Sequence, residues 1–538
     1  MIEKQNSTTI QEDTLSDSRR AFTLGKSCPA CGRKNNPLSA TQRQKINFDA
    51  TLAQLRSGYV PSPDEKATIN AAIRKYKTDI EDMKDEIARL TSRIQETERA
   101  MSYESGLLAP VRQLPPELLT EIMIYCTRGK VDVCSPGSGA WRLERVCKRW
   151  RDVAALTPKL WSTIDVYLGA LMPYRGPKLL SIGTVGRMAQ KALERSGNRS
   201  LSIRFVELGT PAHFQEVFGL FAQHSHRWKD ISFSMALLVD PPDLGHGLPR
   251  LKSLGLSGEY RNRVFDSFQY AQRLSELRLF SVPKPFRSIN LPWHQLKYIK
   301  TTYCEFHNGE FIEMLHHTPN LIEFASKWSK GLTKTSNSTR PLTLYFLESL
   351  EIDASPSELF TALQPLTLPA LKTLCIVTHQ APGNTSLSSH IAYGVVDLIQ
   401  RSGPCRITTL SLSSIDSANV CRILEETPDV TTLELSYILD VESALTTLAR
   451  SNSLVANMGV FSVTCKGSQG MFSVGPLTEI VRTRGVRSRH PREFQMRGRL
   501  HTLNLTVREG EEGLQPFVDL LQPLSRVSGV NIVLHYLA

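Results

Sequence analysis

The chain has 538 residues, of which 41% are hydrophobic and 22% charged, and its formal net charge is +12. Such a chain is long enough for several domains and a large buried core, and its composition excludes a collagen-like, disulfide-stapled or wholly disordered protein. The basic balance permits an acidic partner without demanding one.

The first residues, MIEKQNSTTIQED, contain no apolar stretch of the kind a secretory signal carries. No run of about 18 apolar residues occurs, so no membrane span is expected. The ten cysteines follow no small-domain framework. Reduced thiols and a place in the cytoplasm, the nucleus or both are the expectation.

Residues 1–61 are polar and mostly disordered in expectation, and they hold a lone Cys28-Pro-Ala-Cys31 knuckle. Tetrahedral zinc needs four ligands, and no further Cys or His follows until Cys126. A turn with two free thiols, half of a zinc site completed by another chain, and a redox pair all stay open. No metal and no cofactor is assigned.

Residues 40–57 carry a short helical pattern in Ile46, Phe48, Leu52 and Leu55. Ser62-Pro63-Asp64-Glu65 then reads as a capping box with proline at the first helical position. Across 62–101 a heptad follows, with Ile73, Ile80, Ile87 and Ile94 at a and Tyr76, Met83 and Leu90 at d. β-Branched residues at a favour a parallel two-stranded coiled coil. In that register Asp79–Lys84 and Arg93–Glu98 face each other across a homodimer with opposite charge. Two arrangements stay open: a homodimer through residues 69–101, or a helix folded back on 40–57. Residues 102–106 are expected to end the helix.

Three short helices are expected over 110–166. Pro115 and Pro116 sit where a helix begins, and Glu117 lies in its first turn. Leu118, Ile122 and Cys126 recur four apart, with Leu119 beside them. After a loop, Leu143, Val146, Cys147, Trp150 and Ala154 keep helical spacing, and Thr157-Pro158 opens a short element carrying Leu160, Trp161 and Ile164. So small a core gains stability by docking on a partner or on its own chain.

The blocks Leu114-Pro115-Pro116-Glu117-Leu118-Leu119, Val146-Cys147-Lys148-Arg149-Trp150-Arg151 and Pro158-x-Leu160-Trp161 resemble, in order and spacing, an F-box of the form common in fungal proteins. The resemblance covers about a tenth of the chain. It departs from the family in a long loop at 128–139 and in the missing acidic–leucine start of the second helix. It implies a helical motif that binds an Skp-family adaptor and, through it, a cullin-based ubiquitin ligase. It also implies that Leu114, Pro115, Leu118, Leu119, Ile122, Val146, Trp150 and Trp161 belong to the adaptor contact, the tryptophans from within.

Residues 167–177 read as a Gly/Pro-rich linker. Beyond them a phrase of the form Leu-x-x-Leu-x-Leu recurs, as at Trp228-x-x-Ile231-x-Phe233, Leu251-x-x-Leu254-x-Leu256, Leu410's copy from Ile407, and Leu500-x-x-Leu503-x-Leu505. Copies from Leu296 and Leu321 are truncated. Most starts lie about 22 to 26 residues apart, the spacing of a leucine-rich repeat. The expected fold is therefore α/β: a coiled-coil helix and a three-helix F-box, then a degenerate leucine-rich-repeat solenoid over 180–538. An irregular α/β domain with parallel strands is the alternative. Segments 264–271, 310–317 and 417–426 are the expected return helices, 379–390 is expected to loop out, and 466–475 to interrupt the array. The Asn or Cys that normally satisfies the turn backbone is missing from these copies.

No phosphate loop, HExxH, GxSxG or GxGxxG after a strand occurs, and catalysis is not expected. His316-His317 reads as a helix terminus. The stretch Arg482 to Arg499 holds seven arginines against one acid, Glu493. Arginine pairs bidentately with carboxylate and phosphate, which makes Arg484, Arg487, Arg489 and Arg492 target-binding candidates. Only Phe494 is aromatic there, so nucleic acid is not the expected partner. Three functions stay open: substrate receptor of an Skp–cullin–F-box ligase with an unknown target protein, a repeat-and-coiled-coil scaffold, and a basic nucleic-acid-associated protein.

Overall fold

The computed structural model describes residues 48–168, 180–206, 210–240, 244, 247–260, 263–306, 309–328, 340–378, 385–403, 405–451, 453–466, 473–485, 500–508 and 515–537. Cys28, Cys31, Arg487, Arg489 and Arg492 lie outside these residues. The chain divides into two units, Met1–Arg112 and Gln113–Ala538.

In the first unit, α1 (Phe48–Arg56) is short, and α2 (Pro63–Leu107) is one unbroken helix of 45 residues. Its start is the expected capping box. Ser62 N–H donates to Glu65 Oε2 at 2.8 Å, and Glu65 N–H donates to Ser62 Oγ at 3.4 Å. The helix runs past 102–106, where an end was expected, because no proline interrupts it before Pro110. No residue of α2 is buried, and Leu52 and Leu55 of α1 are exposed as well. The described part of 40–57 thus leaves the heptad face uncovered.

The second unit is mixed α/β, built on a 15-stranded sheet in which every pairing is parallel and every strand lies beside its successor. It begins with β1 (Val131–Asp132), β2 (Thr163–Tyr167), β3 (Leu201–Val206), β4 (Trp228–Ser234) and β5 (Ser253–Ser257). It continues through β6 (Glu276–Phe280), β7 (Tyr298–Cys304) and β8 (Glu323–Trp328). Seven more strands follow, Ser349–Ala354, Thr373–Thr378, Thr409–Ser413, Thr432–Ser436, Val460–Lys466, Thr502–Arg508 and Asn531–Leu537.

Alternation explains the layer. Ile164, Ile203, Ile231, Leu254, Leu277 and Ile299 pair across neighbouring strands, and the same buried row runs on to Leu503. Each such side chain, removed from water, contributes about 1.5–3 kcal/mol. A second buried row runs two residues further along each strand. At Thr301 and Ser326 that row turns polar, which is why the two copies look truncated. The hydroxyls hydrogen-bond each other at 2.6 Å, and Trp328 Nε1 donates to Ser326 Oγ, so neither polar group is left unsatisfied.

The turns after the strands need no Asn or Cys ladder. Gly258, Ser281, Ser414 and Tyr437 adopt left-handed backbone at equivalent positions. Their N–H groups donate to the next repeat's carbonyls, for example Ser281 to Thr302 at 2.8 Å and Tyr437 to Thr464 at 2.8 Å. Main-chain bonds also link the strand starts, including Lys252 N to Lys229 O at 2.8 Å and Lys297 N to Ser275 O at 2.9 Å.

Three expectations about the connections are corrected. Residues 264–271 form turns rather than a helix, with Phe265 in an isolated bridge to Ile289. A helix, Thr385–Arg401, begins within the stretch expected to loop out, because Ile391, Val395 and Leu398 supply a buried stripe. Between 430 and 500 an extra strand, Val460–Lys466, continues the array up to the stretch expected to break it. Helices Glu310–His316 and Ser417–Glu425 match expectation.

Candidate docking surfaces

The helical part of the second unit comprises α3 (Pro116–Thr127), α4 (Gly139–Leu143), α5 (Lys148–Ala155) and a 3₁₀ turn, Pro158–Trp161. The single second helix expected over 143–154 is in fact two. Cys147 stands in extended backbone as the N-cap of α5. The break lets Glu144 turn inward, where it ion-pairs with Arg195 and meets Lys191 at 3.6 Å. The long loop holds β1, which pairs with β2 and so joins the helices to the sheet.

Two tryptophans form the inner contact. Trp141 and Trp161 meet edge to face at 4.7 Å, and their ring N–H groups donate to Asp132 O at 2.9 Å and Ala154 O at 2.7 Å. The Arg195 guanidinium lies 4.5 Å from the Trp161 ring centre, so cation–π attraction adds to its ion pair. Arg149 donates to the Leu114 carbonyl, which ties the entry of α3 to α5.

Helix α3 is apolar on two faces. Leu119 and Met123 are fully buried, whereas Leu118 is 53%, Ile122 39% and Tyr125 88% exposed. Leu119 therefore does not share the stripe of Leu118 and Ile122, and like the fully buried Trp161 it offers no surface to a partner. Pro115 and Val146 are exposed, while Leu114 and Trp150 are half-buried. Tyr125, seven residues after Leu118, completes the exposed stripe. The helical spacing contained it, although Cys126 seemed the natural member.

The face of the sheet that the described residues leave open carries a second surface. Asp165, Arg204, Ser232, Gly255, Arg278 and Lys300 stand in register across β2 to β7. Arg204 forks onto Asp165 at 2.6 and 3.1 Å, a hydrogen-bonded pairing that holds the guanidinium above its ordinary pKa. Arg278 reaches Asp230 at 2.8 Å. Between the two pairs lies a depression of about 960 Å³. Its floor is low because a Cβ on Gly255 would stand 2.6 Å from that of Ser232.

Among the arginines expected to bind a target, Arg484 is the one described, and its surroundings are structural. It donates to the carbonyls of Leu448, Ser451 and Val455 at 2.8, 2.6 and 3.2 Å, and burial lowers its pKa. Nearby Arg482 is exposed and lies 4.0 Å from Glu479. Burial pushes the thiols of Cys304 and Cys375 up to about 11 and that of Cys465 up to about 12, so all three are protonated at neutral pH. No group of His, Cys, Asp and Glu able to hold a metal occurs among the described residues, and none of their helices is long and apolar enough to cross a membrane.

No protein-family model matches this sequence, and no curated protein matches it either.

Proposed function

We propose that this chain is the substrate-recognition subunit of an Skp–cullin–F-box ubiquitin ligase, acting in cytoplasm or nucleus. The observation that carries the reading is the second apolar face of α3. Leu118, Ile122 and Tyr125 stand in water while Leu119 and Met123 already fill the core behind them. A contiguous apolar stripe kept in water marks a partner surface, and this one lies within the blocks that resemble an F-box. In this reading residues 110–166 dock the Skp-family adaptor, and 180–538 form a degenerate leucine-rich-repeat solenoid whose uncovered sheet face holds a target protein. The depression between the Arg204–Asp165 and Arg278–Asp230 pairs supplies fixed charge and room for a side chain. The heptad of α2 pairs two copies in parallel.

The chain itself then makes and breaks no bond. It raises the effective concentration of a target lysine beside the loaded ubiquitin carrier. Affinity purification from cells followed by mass spectrometry tests the proposal. Recovery of an Skp-family adaptor together with a cullin supports it. Recovery of coiled-coil partners alone, or of nuclease-sensitive material, favours the scaffold or the nucleic-acid reading instead.

A further inference from the structure

A groove of about 1260 Å³ runs along the starting ends of β2 to β6, beside the C-terminal end of α3. Four arginines line it, Arg128, Arg199, Arg250 and Arg273, with three lysines, Lys159, Lys229 and Lys252. Among the described residues no aspartate or glutamate lines it. None of the seven cations forms an ion pair among the described residues, and all but the half-buried Arg250 are exposed. Arg250 is held in place by donating to Asn198 O at 2.9 Å. Beneath them lies Arg227, 4% exposed, which donates to Arg199 O at 3.1 Å and to Ser196 Oγ at 2.5 Å.

The repeat itself builds this charge. Arg227-Trp228-Lys229 and Arg250-Leu251-Lys252 place a cation on each side of the first core residue in successive copies, and Arg273 precedes Leu274 in the next. The bond from Lys252 N to Lys229 O sets the two lysines side by side on neighbouring strands, about 4.8 Å apart in backbone spacing. Main-chain groups there are taken up by the ladder, so recognition falls to side chains. Ser162, Ser200 and Asn198 add neutral hydrogen-bonding groups between the charges.

We propose that this groove is a docking site for an acidic segment of a protein chain, bound extended across the strand starts. Charge complementarity selects an anion, because seven like charges with no counter-ion among the described residues repel one another until one is supplied. Length selects a segment rather than a single group. Four strand steps span about 19 Å, the reach of about six extended residues. Tyr125 is the one aromatic residue among the described residues of the lining. A single-stranded nucleic acid would need a series of stacking rings, so a carboxylate-bearing peptide fits better. The site goes beyond the receptor reading, since five of the seven cations, Arg199, Lys229, Arg250, Lys252 and Arg273, lie outside both 110–166 and the Arg482–Arg499 stretch, and only Arg128 and Lys159 fall within the region that resembles an F-box.

The test uses the full chain and a fluorescent octaglutamate peptide, read by anisotropy at low and at physiological ionic strength. Binding that weakens as salt rises is expected. Changing Lys229→Glu, Lys252→Glu and Arg273→Glu together should weaken it about tenfold or more, the order set by three exposed ion pairs. The triple glutamine version, which leaves no like charges facing each other, should give an intermediate loss and keeps the comparison valid if the reversal unfolds. An unchanged affinity in the folded variants, or no peptide binding by the wild type, overturns the site. An octauridylate that binds more tightly than the peptide, and is lost on the same substitutions, overturns the choice of a protein segment as occupant.

Discussion

Replacing Ile80 and Ile87 with Asp probes the helix α2 directly. Both are a positions, and in the single chain they are 45% and 63% exposed, so neither supports the monomer's fold. Within one helix the change costs only a few tenths of a kcal/mol of propensity. In a parallel pair each a residue meets its own copy. The substitution then forfeits about 1 kcal/mol of apolar burial per side chain, since roughly half of each remains to be buried. It also sets carboxylates against each other in the seam, and each costs several kcal/mol when desolvated without a cation. Four carboxylates per dimer put the loss above about 8 kcal/mol, a dissociation constant raised on the order of a millionfold. Sedimentation equilibrium on the full chain should show twice the monomer mass for the wild type and monomer for the variant, with equal helical circular dichroism. A wild type that stays monomeric at tens of micromolar, or a variant that still dimerises, would refute the pairing.

Other expectations concern the repeats. Phe218 is fully buried and lies 5.0 Å from Phe233 and 5.3 Å from Phe205, so Phe218→Ala should cost about 3–5 kcal/mol and lower the urea midpoint. Arg484→Ala should lower the melting temperature by removing charge-assisted bonds to three carbonyls, each worth about 1.5–3 kcal/mol, and should leave the set of captured proteins unchanged. Cys304, Cys375 and Cys465 should resist alkylation at pH 8 until the chain unfolds, while exposed Cys126 reacts at once. Because burial raises those three thiols, their contribution to stability is present below the ordinary thiol range. It should fall as pH climbs through about 11 to 12, a trend measurable by denaturant titration.

Much of this fold was legible because it rests on period. The alternation at Leu251, Leu254 and Leu256 marked a strand, and β5 is there. Copies that went unseen use other residue types in the same frame. Trp161-x-x-Ile164-x-Val166 is the first of them, and Met458-x-x-Phe461-x-Val463 is the strand that fills the apparent gap. Their second and third core residues pair with those of the neighbouring copies, so Trp161 belongs to the helical part and to the repeat frame together. The helical part was harder. Spacing placed Leu118 and Leu119 on one helix but not on opposite faces, because a helix apolar on two sides has no single stripe to read. The basic groove is not legible in the sequence because its cations are more than 100 residues apart at the extremes, from Arg128 to Arg273, and only strand pairing gathers them. A repeated Arg-x-Lys around the first core residue was the signal for it. Arg484 shows the converse: a dense run of arginines suggests a binding face, and this member of it caps a helix through main-chain carbonyls.

The receptor reading is tested most directly by titrating a purified Skp-family adaptor into the full chain in a calorimeter, beside the variant carrying Leu118→Asp and Ile122→Asp. Both residues are exposed, so the variant should keep the wild-type melting curve. Tight wild-type binding, reduced at least a hundredfold by two charged substitutions at the centre of the stripe, is the predicted result. No heat of binding from the wild type, or equal affinity for both proteins, would contradict it.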